Sequence, residues 1–71
     1  MILISNSKQF GELVRDDRRR QRLSQQEAAD LAGVSVRFLG DLERGKPTCE
    51  LEKSLAVAAT LGLRLAVEDC E

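Results

Sequence analysis

The chain has no histidine, tryptophan or tyrosine, only two phenylalanines, Phe10 and Phe38, and a single proline, Pro47. Each shortage removes a class of function. Without an imidazole or a phenol, the common acid-base groups of a neutral-pH active site are missing, and a chain of 71 residues leaves little room for a closed pocket. An enzyme is therefore not expected, nor is any cofactor. Two aromatic rings do not make a stacking platform. Cys49 and Cys70 are the only thiols, and two thiols with no histidine argue against zinc, while a reducing compartment argues against a structural disulfide. Cys49 reads as an ordinary small core residue. No stretch approaches the roughly 18 apolar residues of a membrane span, and "MILIS" is too short for a signal-peptide core and has no basic lead. A cytoplasmic protein without a membrane partner is expected.

What the chain does have is charge and aliphatic side chains. Charged residues make up 32% and apolar residues 42%, which suits one mostly helical domain over residues 1–71. So small a domain buries a modest fraction of its surface, so that a second copy is expected to be part of the fold. The net charge of −1 conceals an asymmetry, because residues 1–46 carry +2 and residues 47–71 carry −3. Arg18, Arg19, Arg20 and Arg22 fall within five positions. This polarity fits a nucleic-acid face at one end, although such a run also serves as a solvated helix face or complements the negative end of a helix.

Periodicity divides the chain into short elements. "MILI" reads as a strand. Ser7 caps a helix over about residues 8–22, with Phe10, Leu13 and Val14 on one stripe and Asp16, Asp17 and the arginines mostly outside it. Ser24 and Glu27 form a capping box, so a second helix starts at Gln25, with Ala28, Leu31 and Ala32 facing inward and Gly33 ending it in the left-handed conformation. Ser35 caps a third helix that runs to about Arg44, buries Leu39 and Leu42 and is closed by Gly45. A fourth follows Thr48, with Leu51, Leu55, Ala58 and Leu61 on one stripe and Gly62 as its stop. Beyond it "LRLAVE" alternates Leu63, Leu65 and Val67 against polar or small residues, the period of a half-buried strand.

Two short helices joined by a glycine-containing turn cross steeply, so the second can stand out from the globule while the first braces it. Gln25, Ala29, Gly33, Val34, Ser35, Leu39, Leu42, Glu43 and Gly45 fall in one ungapped register in which residues 23–46 resemble the helix-turn-helix of the Cro/C1 superfamily, also called the XRE family. The flanking helices extend the likeness to about residues 7–62, and "LGLRLAVED" resembles the tail of HipB-like antitoxins. The resemblance implies an all-α, compact four- to five-helix domain with the helix-turn-helix at 24–44. It adds a short C-terminal β-strand at about 63–68, with a possible N-terminal one, pairing across a dimer through Leu63, Leu65 and Val67.

Carried over by position, Gln25 and Gln26 would bond phosphate at the start of the second helix. Ser35, Val36, Arg37, Gly40 and Asp41 would lie toward the groove, Arg37 reading guanine and Val36 touching a thymine methyl. Asp41 would either accept from cytosine or orient Arg37. Arg44 and Lys46 would contact the backbone, and Phe38 would pack over the second or fourth helix or lie against DNA. Gly40 departs from the family pattern, in which a serine or asparagine is usual. The implied function is a homodimeric repressor binding double-stranded DNA at an inverted repeat, as the antitoxin partner of a HipA-like kinase toxin. A stand-alone phage-type or metabolic repressor and a protein-binding adaptor are the alternatives. The bacterial nucleoid is the implied location.

Overall fold

The computed structural model describes residues 2–67 and residue 69. Four helices follow one another: α1 (Ser7–Arg20), α2 (Gln25–Ala32), α3 (Val36–Glu43) and α4 (Leu51–Thr60). α3 packs on α1 and on α2, and α2 packs in turn on α4. The core between them is small and aliphatic, built from Val14, Ala28, Ala29, Leu39, Leu42, Val57 and Leu61. Leu39 and Val14 are wholly enclosed. Burying a side chain of this size is worth about 1.5–3 kcal/mol, so a handful of such residues carries most of the favourable side of folding.

The caps explain why the helices start where they do. The capping box is present as expected: the Ser24 hydroxyl accepts from the Glu27 amide at 3.0 Å, and the Glu27 carboxylate accepts from the Ser24 amide at 2.9 Å. Those bonds to Ser24 hold the Glu27 carboxyl below its ordinary pKa. Ser35 likewise accepts from the Phe38 amide at 2.9 Å. Gly33 adopts φ 73° and ψ 29°, the left-handed geometry that ends α2 and turns the chain into α3. At α1 the cap is Asn6, not Ser7. The Asn6 side chain accepts from the Gln9 amide at 2.9 Å and Ser7 becomes the first helical residue, two caps of nearly equal strength having stood side by side in the sequence.

α1 also ends two residues earlier than its charge pattern suggests. The amides of Arg22 and Leu23 fold back onto the carbonyls of Arg19 and Arg18, with Arg22 at φ 60° in the position glycine usually takes. Close approach needs a glycine elsewhere. A side-chain carbon on Gly11 would collide with the carbonyls of Leu42 and Glu43, so α1 and the end of α3 touch backbone to backbone.

Three expected inward leucines lie outside. Leu31, Leu51 and Leu55 are exposed, and the inner face of α2 is Ala28 and Ala29 while that of α4 is Ser54, Val57, Ala58 and Leu61. Alanine and serine share these inner faces with Val57 and Leu61, and the three leucines face solvent. The Ser54 hydroxyl satisfies itself by donating to the Glu50 carbonyl at 2.8 Å. Asp17 and Arg18, placed outside by their charge, are buried.

The end segments are not strands. Residues 2–5 and 63–67 form no strand, and residues 2–4 and 64–67 make no backbone-to-backbone hydrogen bond among the described residues. A period of two becomes a strand only when a ladder partner supplies its hydrogen bonds. The two segments nevertheless share one groove, in which Ile2, Leu3 and Ile4 face Leu13, Leu63, Leu65 and Val67. Met1, Glu68, Cys70 and Glu71 lie outside the described residues, and with them the last position of the expected strand. No described helix is long and apolar enough to cross a membrane.

Candidate nucleic-acid interface

One buried carboxylate fixes how α1, α2 and α3 meet. The Glu43 side chain, at the end of α3, receives the Arg18 guanidinium through Nε at 2.6 Å and Nη2 at 3.0 Å, a two-pronged pair in which both side chains are almost closed to solvent. Arg18 spends its remaining arm on the Leu23 carbonyl at 2.8 Å, closing the α1–α2 connection. Gln25, the first residue of α2, donates its amide to the same Glu43 carboxylate at 3.0 Å. Burial pushes the Glu43 carboxyl upward, but the hydrogen bonds from Arg18 and Gln25 and the charges of Arg18 and Arg19 outweigh it, so the group sits below the ordinary carboxylate range. The bond to Glu43 in turn raises Arg18 above its ordinary value. Both shifts favour the ionised pair.

From this brace α3 projects the side chains singled out by position. Arg37 is exposed and has no hydrogen-bond or ion-pair partner among the described residues. Ser35 is exposed and spent on its cap. Val36 and Phe38 are half-buried and pack against the core, and the Lys53 ammonium of α4 stands 5.9 Å from the centre of the Phe38 ring. Phe38 thus takes the packed alternative, toward α4. Gly40 is buried, where an outward position was expected, because Arg44 lies across it. Asp41 does not orient Arg37. It pairs with Arg44 at 2.6 Å and faces Lys46 at 3.6 Å, so these three residues form one cluster beside the helix end. On α2, Gln26 donates to Asp30 at 2.8 Å and remains exposed.

The arginine run divides between structure and surface. Arg18 is the buried partner of Glu43, while Arg19, Arg20 and Arg22 are exposed, Arg20 in a pair with Asp17. Nothing local in the sequence distinguishes Arg18, since its partner is 25 positions away. Lys53 was also missed; its place beside α3 depends on the α3–α4 turn. Cys49 is half-buried against the core and burial raises its thiol pKa, which keeps it protonated and unreactive at neutral pH.

Residues 14–67 match the family model described as helix-turn-helix. The chain belongs to the helix-turn-helix family, in its Cro/C1 or XRE branch. It is 48% identical over 58 residues to the uncharacterized HTH-type transcriptional regulator y4mF of Sinorhizobium fredii, a match spanning 82% of this chain and 76% of that protein. Its fold is similar to that of a HipB variant solved as a complex with an O2 20mer, with a TM-score of 0.88 at 17% identity over 100% of this chain and 99% of the other.

Proposed function

We propose that the protein is a sequence-specific DNA-binding transcriptional repressor that works as a homodimer on an inverted-repeat operator. The observation that carries this reading is Arg37, exposed on α3, a helix that follows the left-handed turn at Gly33 and that the Arg18–Glu43 pair holds in place. A guanidinium there can bond guanine O6 and N7 together in a major groove. Gln25 and Gln26 stand at the positive end of α2, where phosphate is favoured, and the second amide hydrogen of Gln25 stays available beside its bond to Glu43. Lys46 adds charge for the backbone. The regulator name of the Sinorhizobium relative and the O2 20mer held by the HipB variant support the same reading.

The end segments support the dimer. Ile2, Leu3, Leu65 and Val67 are exposed together, and an unpaired apolar strand edge is a template for another chain. Antiparallel pairing of the segment from Leu63 onward with its twofold mate covers Leu63, Leu65 and Val67 and sets two recognition helices about 34 Å apart, one turn of DNA. We extend the reading to an antitoxin whose acidic C-terminal half engages a HipA-like kinase toxin, a role that the fold likeness to HipB supports.

The test is binding to selected duplexes as a function of salt. Replacing Arg37 by alanine costs about 1–3 kcal/mol on the operator and relaxes preference at one base pair. Equal loss on operator and random DNA makes Arg37 a phosphate contact, and absence of binding to any duplex refutes the repressor in favour of a protein adaptor. Copurification with the product of an adjoining toxin gene tests the antitoxin role.

A further inference from the structure

We propose that Arg44 reads a base instead of gripping a phosphate, from a berth that Gly40 opens and Asp41 fixes; this rests on the DNA-binding reading above. Helical side chains lean toward the N-terminus of their helix, so Arg44, at the C-terminal cap of α3, sends its guanidinium back along the outward face by about one turn. It comes to rest over Gly40. A side-chain carbon on residue 40 would stand 3.2 Å from Nη1, 3.7 Å from Nη2 and 3.8 Å from Cζ of Arg44, so it would crowd the guanidinium and shift it by a few tenths of an ångström. Asp41 Oδ1 accepts from Nη2 at 2.6 Å, and its other oxygen faces the Lys46 ammonium at 3.6 Å. The Arg44 side chain is held and still 71% exposed. Of its five donors, only one is engaged by the carboxylate.

A phosphate contact calls for none of this. A free arginine or lysine at a helix end supplies the same charge, whereas pinning the side chain forfeits rotamer freedom and placing a carboxylate beside it weakens its pull on a polyanion. Orientation is what the arrangement provides, and orientation matters for a planar fork facing a base edge. The berth also accounts for a glycine inside a helix, otherwise an unfavourable choice. Arg37, Gly40, Asp41 and Arg44 are spaced i, i+3, i+4 and i+7, which places them on one face. Arg37 leans back by the same rule, so the two guanidinium groups keep the seven-residue separation of their backbones, about 10 Å along the axis at 1.5 Å per residue. One base step is about 3.4 Å. Two guanidinium groups so spaced address base pairs about three steps apart in one half-site.

The experiment is selection from a random duplex library with the full chain, wild type and the variants Arg44→Lys, Arg44→Ala, Gly40→Ala and Asp41→Asn, each also titrated against salt. The wild type is expected to select two guanine contacts about three base pairs apart in each half-site. Arg44→Lys keeps the charge but loses the fork, so preference at one of them falls by roughly tenfold while the salt slope and the Arg37 preference persist. Gly40→Ala crowds the guanidinium by a few tenths of an ångström and weakens the same preference with no loss of thermal stability. Asp41→Asn tightens binding to random DNA and lowers discrimination. Unchanged base preference in Arg44→Lys, together with a salt slope reduced by about one in Arg44→Ala, makes Arg44 a phosphate contact and overturns the proposal. A wild-type chain that enriches no duplex refutes the DNA-binding reading itself, and this inference with it.

Discussion

Replacing Glu43 by glutamine removes one charge from the centre of the molecule without changing the volume of the side chain. Arg18 then remains ionised between α1 and α3, keeping its bond to the Leu23 carbonyl but only one good acceptor on residue 43. Removing one partner of a buried pair costs about 3–5 kcal/mol, and the acceptor that glutamine retains puts this change near the lower end, about 3 kcal/mol. A chain of this length has a total stability of about 4–11 kcal/mol, so the loss is a large part of it. In thermal unfolding it corresponds to a fall in Tm of about 12–24 °C at fixed protein concentration.

Circular dichroism melts across pH add a second readout. The Glu43 carboxyl titrates below its ordinary range when folded, so its contribution is complete above the unfolded value and disappears as pH falls through the folded one. The wild type should therefore lose stability below about pH 4, and the glutamine variant should lose less over the same interval. Replacing both partners by apolar residues, Arg18→Met with Glu43→Leu, should recover most of the loss, because no buried charge is left unpaired. A single variant that melts within 2–3 °C of the wild type, about 0.5 kcal/mol, would refute the argument that the pair is desolvated and decisive.

Three further outcomes are expected. Deleting residues 63–71 should give a folded monomer in sedimentation with much weaker operator binding, and an undiminished dimer would place the interface elsewhere. Gly11→Ala should destabilise the fold by about 3 kcal/mol or more in denaturant titration, since the added carbon meets backbone carbonyls that cannot rotate away. Arg22→Gly should raise stability by about 0.5–1 kcal/mol, by relieving the left-handed strain at φ 60° less the extra chain entropy of glycine.

Much of the fold could be read from local chemistry because its signals act over three or four residues. The Ser24–Glu27 box, the Gly33 turn and the Ser35 cap are each complete within one helical turn, and they stand where the sequence places them. What local reading missed was decided by distance. Leu31, Leu51 and Leu55 looked like core because they are apolar, yet the faces turned inward are Ala28 and Ala29 on α2 and Ser54, Val57 and Ala58 on α4, with Leu61 at its end. Arg18 sat unremarked among its neighbours because only the tertiary fold brings it to Glu43. Asn6 and Ser7 offered equivalent caps, and no propensity separates them by one residue. In the candidate site, Arg37 was legible as an outward residue, whereas the joining of Asp41 to Arg44 and Lys46 was a matter of rotamers that spacing alone leaves open.

Glu43 also holds Gln25, so the carboxylate that keeps three helices together is bonded directly to a residue assigned to phosphate. Architecture and recognition are wired through the same two oxygen atoms. On the DNA-binding reading proposed above, a genetic screen scoring only lost binding returns Glu43 alongside contact positions, though its side chain is buried, and abundance measured in the same cells is what tells the two apart.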